Sequence, residues 1–201
     1  MRAFARCTSR TFGVPGYDLD AAVAVWDATR EVVQRYSLVL DGEVAGTFAD
    51  WPMAQSLPGA VDLDASAVSA VTTSLTARRQ GVLSAHMTAH RDRVLEAGAQ
   101  GSVLLAAEWP IYGRFGFGPA SDYCDWELDA RHARLNPAVV DAVAKSGVVV
   151  AHEEAADVWP EAEAVFAATR RGVLGDVERS WPRAFERDFG CGLALAFGSR
   201  W

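Results

Sequence analysis

A strand that turns sharply into a long amphipathic helix, followed by a second apolar strand, leaves a chain few folds to choose from. Ala67 to Ser74 reads as a buried strand. The helix that follows is expected from about Arg78 to Ala97, with Leu83, Met87, His90 and Val94 on one face. Gly98 supplies a left-handed stop. Ser102 to Ala107 is a continuous apolar run, as expected of a strand buried on both faces. Strand, helix and strand make a βαβ unit, which crosses over right-handed.

The turn into that helix carries Arg78, Arg79 and Gly81. The first turn of a helix has backbone N–H groups without intrahelical partners, and the positive end of its dipole points the same way. Glycine lets an anion approach the backbone. Two arginines there are unfavourable for the helix itself, so the turn reads as an anion site of the kind that holds phosphate.

Upstream, residues 3–12 and about 20–35 are helical in pattern. In the second, Ala21, Val25, Ala28, Val32 and Tyr36 recur on one side of a 3.6-residue helix. Gly13 to Gly16 separates the two helices, and Asp18 or Asp20 is placed to cap the second. Asp41-Gly42 between Tyr36–Leu40 and Glu43–Phe48 is a strong hairpin signal. A Pro/Gly-marked passage from Trp51 to Gly59 follows, then strands over 59–64 and 67–74. The sheet is therefore expected to be mixed: antiparallel first, parallel around the long helix.

Downstream, Trp109-Pro110 breaks the apolar run, and Ile111 to Phe115 reads as a short helix or turn. A strand is expected over 120–128 and a connector over 131–137. From there the pattern restarts: helix 137–145, strand 147–152, helix 158–170, helix 180–188 and an apolar run over 191–197. This reads as the opening of a second α/β unit.

Half of the 201 residues are hydrophobic, enough for a substantial core. The net charge of −7 disfavours nucleic acid and anionic membranes, which require a basic face. Cys7, Cys124 and Cys191 lie far apart without metal-ligand spacing, as reduced thiols of a cytoplasmic protein would. His86 and His90 stand four apart on one helix face, but no third ligand is evident, so packed or surface histidines are expected and no metal. No apolar run reaches the ~18–20 residues that span a bilayer. Met1 to Arg6 has no signal-peptide pattern.

Two runs together resemble the GNAT superfamily of N-acetyltransferases, and within it the Eis (enhanced intracellular survival) type. Arg78-Arg79-Gln80-Gly81-Val82-Leu83 is similar to the acetyl-CoA motif Q/R-x-x-G-x-G/A, with Leu83 at its second small position. Ala107-Glu108, then Ile111-Tyr112-Gly113-Arg114-Phe115-Gly116-Phe117-Gly118, is similar to the Eis-type run Ser-Glu-x-x-Ile-Tyr-Gly-Arg-Phe-Gly-Tyr-Gly. The second motif is much the more specific.

The resemblance implies an α/β GNAT (acyl-CoA N-acyltransferase) fold: a mixed, mostly antiparallel sheet with a central βαβ unit. The GNAT domain would span 1–130, and 131–201 would be the partial start of a second GNAT-like half. It implies acetyl-CoA as cosubstrate and direct transfer to a primary amine, on an aminoglycoside-like polycation, a polyamine or a protein lysine. By position, the pantetheine arm would pair with Val71, Thr72 and Thr73. The pyrophosphate would sit on Arg79, Gln80, Gly81, Val82, Leu83 and Ser84, with Arg78 and Arg79 supplying charge. Ala107 and Glu108 would line the thioester, and Tyr112 would protonate the departing thiolate.

A tyrosine hydroxyl of reference pKa about 10 matches a thiolate leaving group near about 8.5 well enough to share a proton late in the reaction. The Eis-type base is a C-terminal carboxylate on a domain this sequence does not contain. Glu108 is a stand-in, or the amine arrives neutral. GNAT folds usually open with a strand before the first helix, whereas this sequence opens at or within that helix.

Other side chains have plainer readings. Gly113, Gly116 and Gly118 are expected to serve the backbone. Trp26, Trp51, Trp109 and Trp126 are candidates to wall an acceptor pocket, though core packing is the commoner fate of each. Asp50 and Asp122 are candidates to attract a cationic amine. Two rival readings stand beside the transferase. One is a silent acetyl-CoA-binding module; the other is a fragment of a larger Eis-like homo-oligomeric enzyme.

Overall fold

The computed structural model of the protein describes residues 1–13, 16, 18–120, 127–129, 131–147 and 155–178. Two compact units are present: residues 1–121 together with 170 onward, and residues 122–169.

The first unit opens with α1 (Arg2–Phe12), which stops at Gly13 in the left-handed conformation. α2 (Leu19–Ala28) starts at Asp18, whose carboxylate accepts from the amides of Asp20 (2.8 Å) and Ala21 (3.1 Å). The expected helix over 20–35 therefore ends about seven residues early. At its end the Thr29 hydroxyl donates to the Trp26 carbonyl, and the Arg35 guanidinium donates to that carbonyl too. The apolar period continues past this point because Val32 in the turn packs against the core and Tyr36 in the next strand packs on Phe48.

A four-stranded sheet follows in the order β1 (Gln34–Leu40), β2 (Glu43–Leu57), β3 (Val61–Thr73), β4 (Gly101–Leu104). The first two pairings are antiparallel and the third is parallel, the mixed sheet expected. Asp41 (φ 50°) and Gly42 (φ 82°) both take positive φ, which fits the right-handed strand twist at a two-residue hairpin. The passage from Trp51 to Leu57, expected to be irregular, is strand. Pro52 is tolerated because β1 ends opposite Asp50, so its missing N–H leaves no gap in that ladder. The two strands expected over 59–74 are one.

α1 and α2 cover one face of the sheet. Phe4, Ala5, Val25 and Trp26 pack there with Ala49, Trp51, Met53 and Ala67. α3 (Val82–Glu96) covers the other face and starts four residues later than expected, leaving Arg78 and Arg79 in the turn before it. Its buried side chains are Val82, His86, Met87 and His90, while Leu83 and Val94 are half-buried. Gly98 (φ 71°) follows as the expected stop. β4 is shorter than expected and only half-buried, and Leu105 beyond it is exposed.

Residues 170–178 return to this unit along the part of β2 that β1 does not reach. The Ser56 amide donates to the Asp176 carbonyl (2.8 Å), and the Glu178 amide to the Ala54 carbonyl (2.8 Å). Buried Arg170 donates to both carboxylate oxygens of Asp62 (2.8 and 2.9 Å) and to the Ser56 hydroxyl (3.0 Å). Nothing in the apolar pattern of 171–178 announces this pairing.

In the second unit, α4 (Pro137–Ser146) starts at Asn136, whose side chain accepts from the Ala138 amide (3.0 Å). α5 spans Ala155–Arg170. Both lie where the sequence placed helices. The strand expected over 147–152 and the elements expected from 180 onward lie outside the described residues. So does most of the strand expected over 120–128; its last two residues, Glu127 and Leu128, are not in a strand.

Candidate functional site

The geometry of the site begins with an irregularity in β3. Thr47 faces Thr72 and Ala49 faces Ser69, so Ala70 and Val71 together oppose Phe48. This is a β-bulge, and Ala70 sits in it at φ 51°. A buried threonine pair holds it. The Thr47 hydroxyl donates to the Ala70 carbonyl (2.7 Å), lies 2.6 Å from the Thr72 hydroxyl, and the Thr47 amide donates to Thr72 Oγ1 (3.1 Å).

β3 and β4 pair only from Ala65↔Gly101 to Val68↔Leu104. Beyond Val68 the two strands part, with the bulge at the point of departure. Val71, Thr72 and Thr73 then keep β2 on one side and have no strand on the other among the described residues. Such an edge offers backbone donors and acceptors to an extended, amide-bearing ligand. Ligands of sheets with parallel strands gather at the strands' carboxyl ends.

The turn after β3 continues the site. Leu75–Ala77 form a 3-10 turn, Arg78 is extended, and Arg79 takes φ 65°. Gly81 begins α3 at φ 82°. The first intrahelical bond runs from the Ala85 amide to the Gly81 carbonyl (2.9 Å). The amides of Val82, Leu83 and Ser84 are thus left without intrahelical acceptors. No side chain caps this terminus, and no acidic residue lies in its first turn. Arg78 and Arg79 are exposed beside it. The Gln80 side chain donates to the Thr76 carbonyl (3.0 Å) and so braces the turn. An uncapped helix start flanked by two arginines fits a pyrophosphate. Reversing both charges, Arg78→Glu with Arg79→Glu, is expected to weaken acetyl-CoA binding about tenfold or more in a calorimetric titration. Unchanged affinity would remove this turn from the binding site.

The second run leaves the same end of the parallel pair. Ala107 and Glu108 follow β4 and are exposed. Two 3-10 turns, Trp109–Ile111 and Gly113–Phe115, meet at Tyr112. Tyr112 is the one buried residue of this run and packs edge-on against Phe117 at 6.0 Å. Burial pushes its phenol above the ordinary value, and the nearby Glu108 carboxylate pushes the same way. The hydroxyl therefore holds its proton at neutral pH.

Of the glycines in this run, Gly116 (φ 92°) meets the expected backbone requirement. Gly113 and Gly118 have neither positive φ nor a neighbour that a Cβ would touch. Trp26 and Trp51 are in the core, and Trp109 is 67% exposed. Trp126 and Asp122 lie outside the described residues.

Asp50 is not available to an amine. It is buried under α3, where its carboxylate accepts from His90 Nδ1 (3.0 Å) and Arg93 (3.1 Å). His86 is also core. It stacks on Phe48 at 5.9 Å, and neither ring nitrogen has a hydrogen-bond partner. Burial, with Arg93 adding to it, lowers its pKa to about 4.

A depressed histidine pKa means that the unfolded chain takes up the proton first. His86 thus removes stability as pH falls from about 6.5 toward about 4, and none of this loss is present above 6.5. His86→Phe is expected to flatten the melting temperature over that window. An unchanged pH slope would place the titrating group elsewhere.

The sequence did not point to the Thr47–Thr72 pair. One local signal lies beside it: Gly46, a glycine inside a strand, marks a close approach of another backbone or helix.

This sheet, with one helix crossing between parallel strands that part beyond a bulge, places the chain in a known class. A family model for the acetyltransferase (GNAT) domain matches residues 1–120, and the chain belongs to that family, whose members use acetyl-CoA. Among curated relatives, an "uncharacterized N-acetyltransferase" of Streptomyces griseus is 31% identical over 178 residues. The match covers 88% of this chain and 43% of the relative, so the chain spans less than half of that protein's length. The N-acetyltransferase Eis of Mycobacterium tuberculosis is 35% identical over 94 residues, 47% of this chain and 23% of that one. A predicted acetyltransferase from Clostridium acetobutylicum, crystallised with acetyl-CoA, shares the fold: TM-score 0.52 at 13% identity, covering 62% of this chain and 88% of that one.

Proposed function

We propose that the chain is an acetyl-CoA-dependent N-acetyltransferase of the Eis type that moves the acetyl group directly to a primary amine. The observation that carries this reading is the open edge of Val71–Thr73 running into an uncapped, arginine-flanked helix start. An extended, amide-bearing thioester ending in a pyrophosphate needs both features, in that order along the chain.

On this reading the pantetheine amides pair with Val71, Thr72 and Thr73. The pyrophosphate rests on the amides from Arg79 through Ser84, and Ala107 and Glu108 flank the thioester. The amine nitrogen attacks the thioester carbonyl and the carbon–sulfur bond breaks. Tyr112 gives its proton to the sulfur that leaves. The amine attacks in its neutral form, and the surplus proton on its nitrogen leaves to Glu108 or to solvent as the amide forms, after which Tyr112 regains its proton from solvent. The acceptor is an amine on an aminoglycoside-like polycation, a polyamine or a protein lysine.

Calorimetric titration with acetyl-CoA, followed by a thiol-release assay with a panel of these amines, tests the reading. Binding with thiol release supports it. Binding without release favours a silent cofactor-binding module, or an activity that belongs to a longer homo-oligomeric protein. No binding to folded protein would overturn it.

A further inference from the structure

α3 is fixed to the sheet by a chain of buried polar groups that the transfer chemistry above does not use. His90, 2% exposed, lies in the middle of α3. Its Nδ1 is 3.0 Å from Asp50 Oδ2 on β2, and its Nε2 is 2.9 Å from the Ser102 hydroxyl on β4. Arg93, one turn further along α3, donates to the same Asp50 oxygen through Nη2 (3.1 Å). Its guanidinium also lies 3.8 Å above the Tyr36 ring of β1.

The hydrogen-bond roles follow from the inventory of donors. Asp50 Oδ2 accepts from Arg93, so it is an acceptor and the His90 proton sits on Nδ1. His90 Nε2 then accepts from the Ser102 hydroxyl. One imidazole thereby joins three elements: α3, whose first turn carries the phosphate-binding amides; β2 beneath it; and β4, whose end leads to Glu108 and Tyr112.

β4 has reason to need such a tether. It has four residues and four paired positions with β3, and its side chains are only half-buried. The aspartate–histidine–serine connectivity is also that of an activated nucleophile. Here, however, Asp50 shares its charge with Arg93, and Ser102 pairs opposite Ser66, well short of the open edge at Val71–Thr73.

We infer that His90, held by Asp50 and Arg93, is a positioning residue that locks β4 to α3 through Ser102 and so sets the cofactor-binding turn and the Glu108–Tyr112 run at a fixed separation. A misplacement of about 1 Å between reacting groups is enough to slow transfer, while binding at one of them is preserved. The catalytic consequence rests on the transferase reading above; the lock itself does not.

The test uses the purified full chain and the variants Ser102→Ala, Ser102→Thr and His90→Asn. Asparagine keeps a donor toward Asp50 but cannot reach Ser102. Ser102→Ala is expected to leave acetyl-CoA affinity within twofold while kcat falls several-fold. Exchange of the Val103 and Leu104 amides should quicken about tenfold. Ser102→Thr, which keeps the hydroxyl, should restore both, and His90→Asn with Ser102→Ala should be no worse than either alone.

Wild-type kcat in Ser102→Ala with unchanged amide exchange would overturn the proposal. So would a parallel loss of affinity, kcat and melting temperature, which marks general destabilisation. Covalent labelling of Ser102 by a fluorophosphonate would overturn it in favour of a nucleophile. If the wild-type chain itself shows no transfer, the transferase reading fails, and amide exchange alone decides the lock.

Discussion

Tyr112→Phe is expected to lower kcat about a hundredfold while acetyl-CoA affinity stays within twofold. The substitution removes one hydroxyl and keeps the ring that packs against Phe117. The fold of the two 3-10 turns should survive, because their backbone bonds, Tyr112 to Trp109 (3.1 Å) and Phe115 to Tyr112 (2.9 Å), do not involve the phenol. General-acid assistance contributes about 10²–10⁴-fold, and the lower end applies where a thiolate is already a fair leaving group. A loss confined to kcat marks a group that acts in the transition state and not in binding. The raised phenol pKa adds a second signature. The wild-type rate should show a falling limb at high pH, where Tyr112 loses its proton, and that limb should vanish in the variant. Equal kcat in the two proteins would remove Tyr112 from the mechanism.

Gly46→Ala should produce the largest structural effect of a single methyl group in the first unit. Gly46 lies in β2 opposite Leu38 on one side and Thr73 on the other, directly beneath α3. A Cβ there would stand 2.5 Å from the Thr72 carbonyl oxygen, 2.5 Å from Val82 Cγ1 and 3.2 Å from His86 Cε1. The carbonyl belongs to the edge that defines the site, and Val82 is the first residue of α3. Neither can yield without moving the bulge or the helix start. Overpacking of this kind costs about 1–3 kcal/mol, which lowers the melting temperature of a chain this size by about 2–12 °C. Acetyl-CoA binding should weaken with it, because the displaced atoms lie next to the proposed pantetheine and pyrophosphate contacts. Gly113→Ala, where a Cβ meets nothing within 4 Å, should leave stability unchanged. A Gly46→Ala protein that melts and binds like wild type would show that α3 does not sit on β2 this closely.

Local chemistry was legible from the residues. Asp41-Gly42 specifies its own turn, because only residues tolerant of positive φ close a two-residue hairpin. Gly98 ends α3 for the same kind of reason. Where a signal depends on periodicity, it located the elements but not their limits. Tyr36 continued the rhythm of α2 from inside β1, because both elements turn apolar side chains toward packed neighbours. Periodicity places Arg78 and Arg79 inside the helix, yet the left-handed turns at Arg79 and Gly81 hold them before it. Backbone amides, and not the arginines, therefore form the helix start.

Partnership across the fold was not legible. Asp50 reads in the sequence as a candidate to attract an amine, a role it loses to the His90 and Arg93 partners that α3 brings to it. His86 and His90 are packed histidines, as expected, but their separate partners, Phe48 for one and Asp50 with Ser102 for the other, come only from β2 and β4. The return of 170–178 to β2 depends on Arg170 meeting Asp62 across more than a hundred residues. The sequence alone determined the strand–helix–strand unit, its hairpin and the composition of the two site runs, because turn chemistry and motif identity act over a few residues. Only the tertiary structure decided where β3 parts from β4, which polar groups are locked in the core, and that Gly46 must carry no side chain. Those depend on which surfaces meet, and burial changes the behaviour of a carboxylate, an imidazole or a Cβ only after they have met.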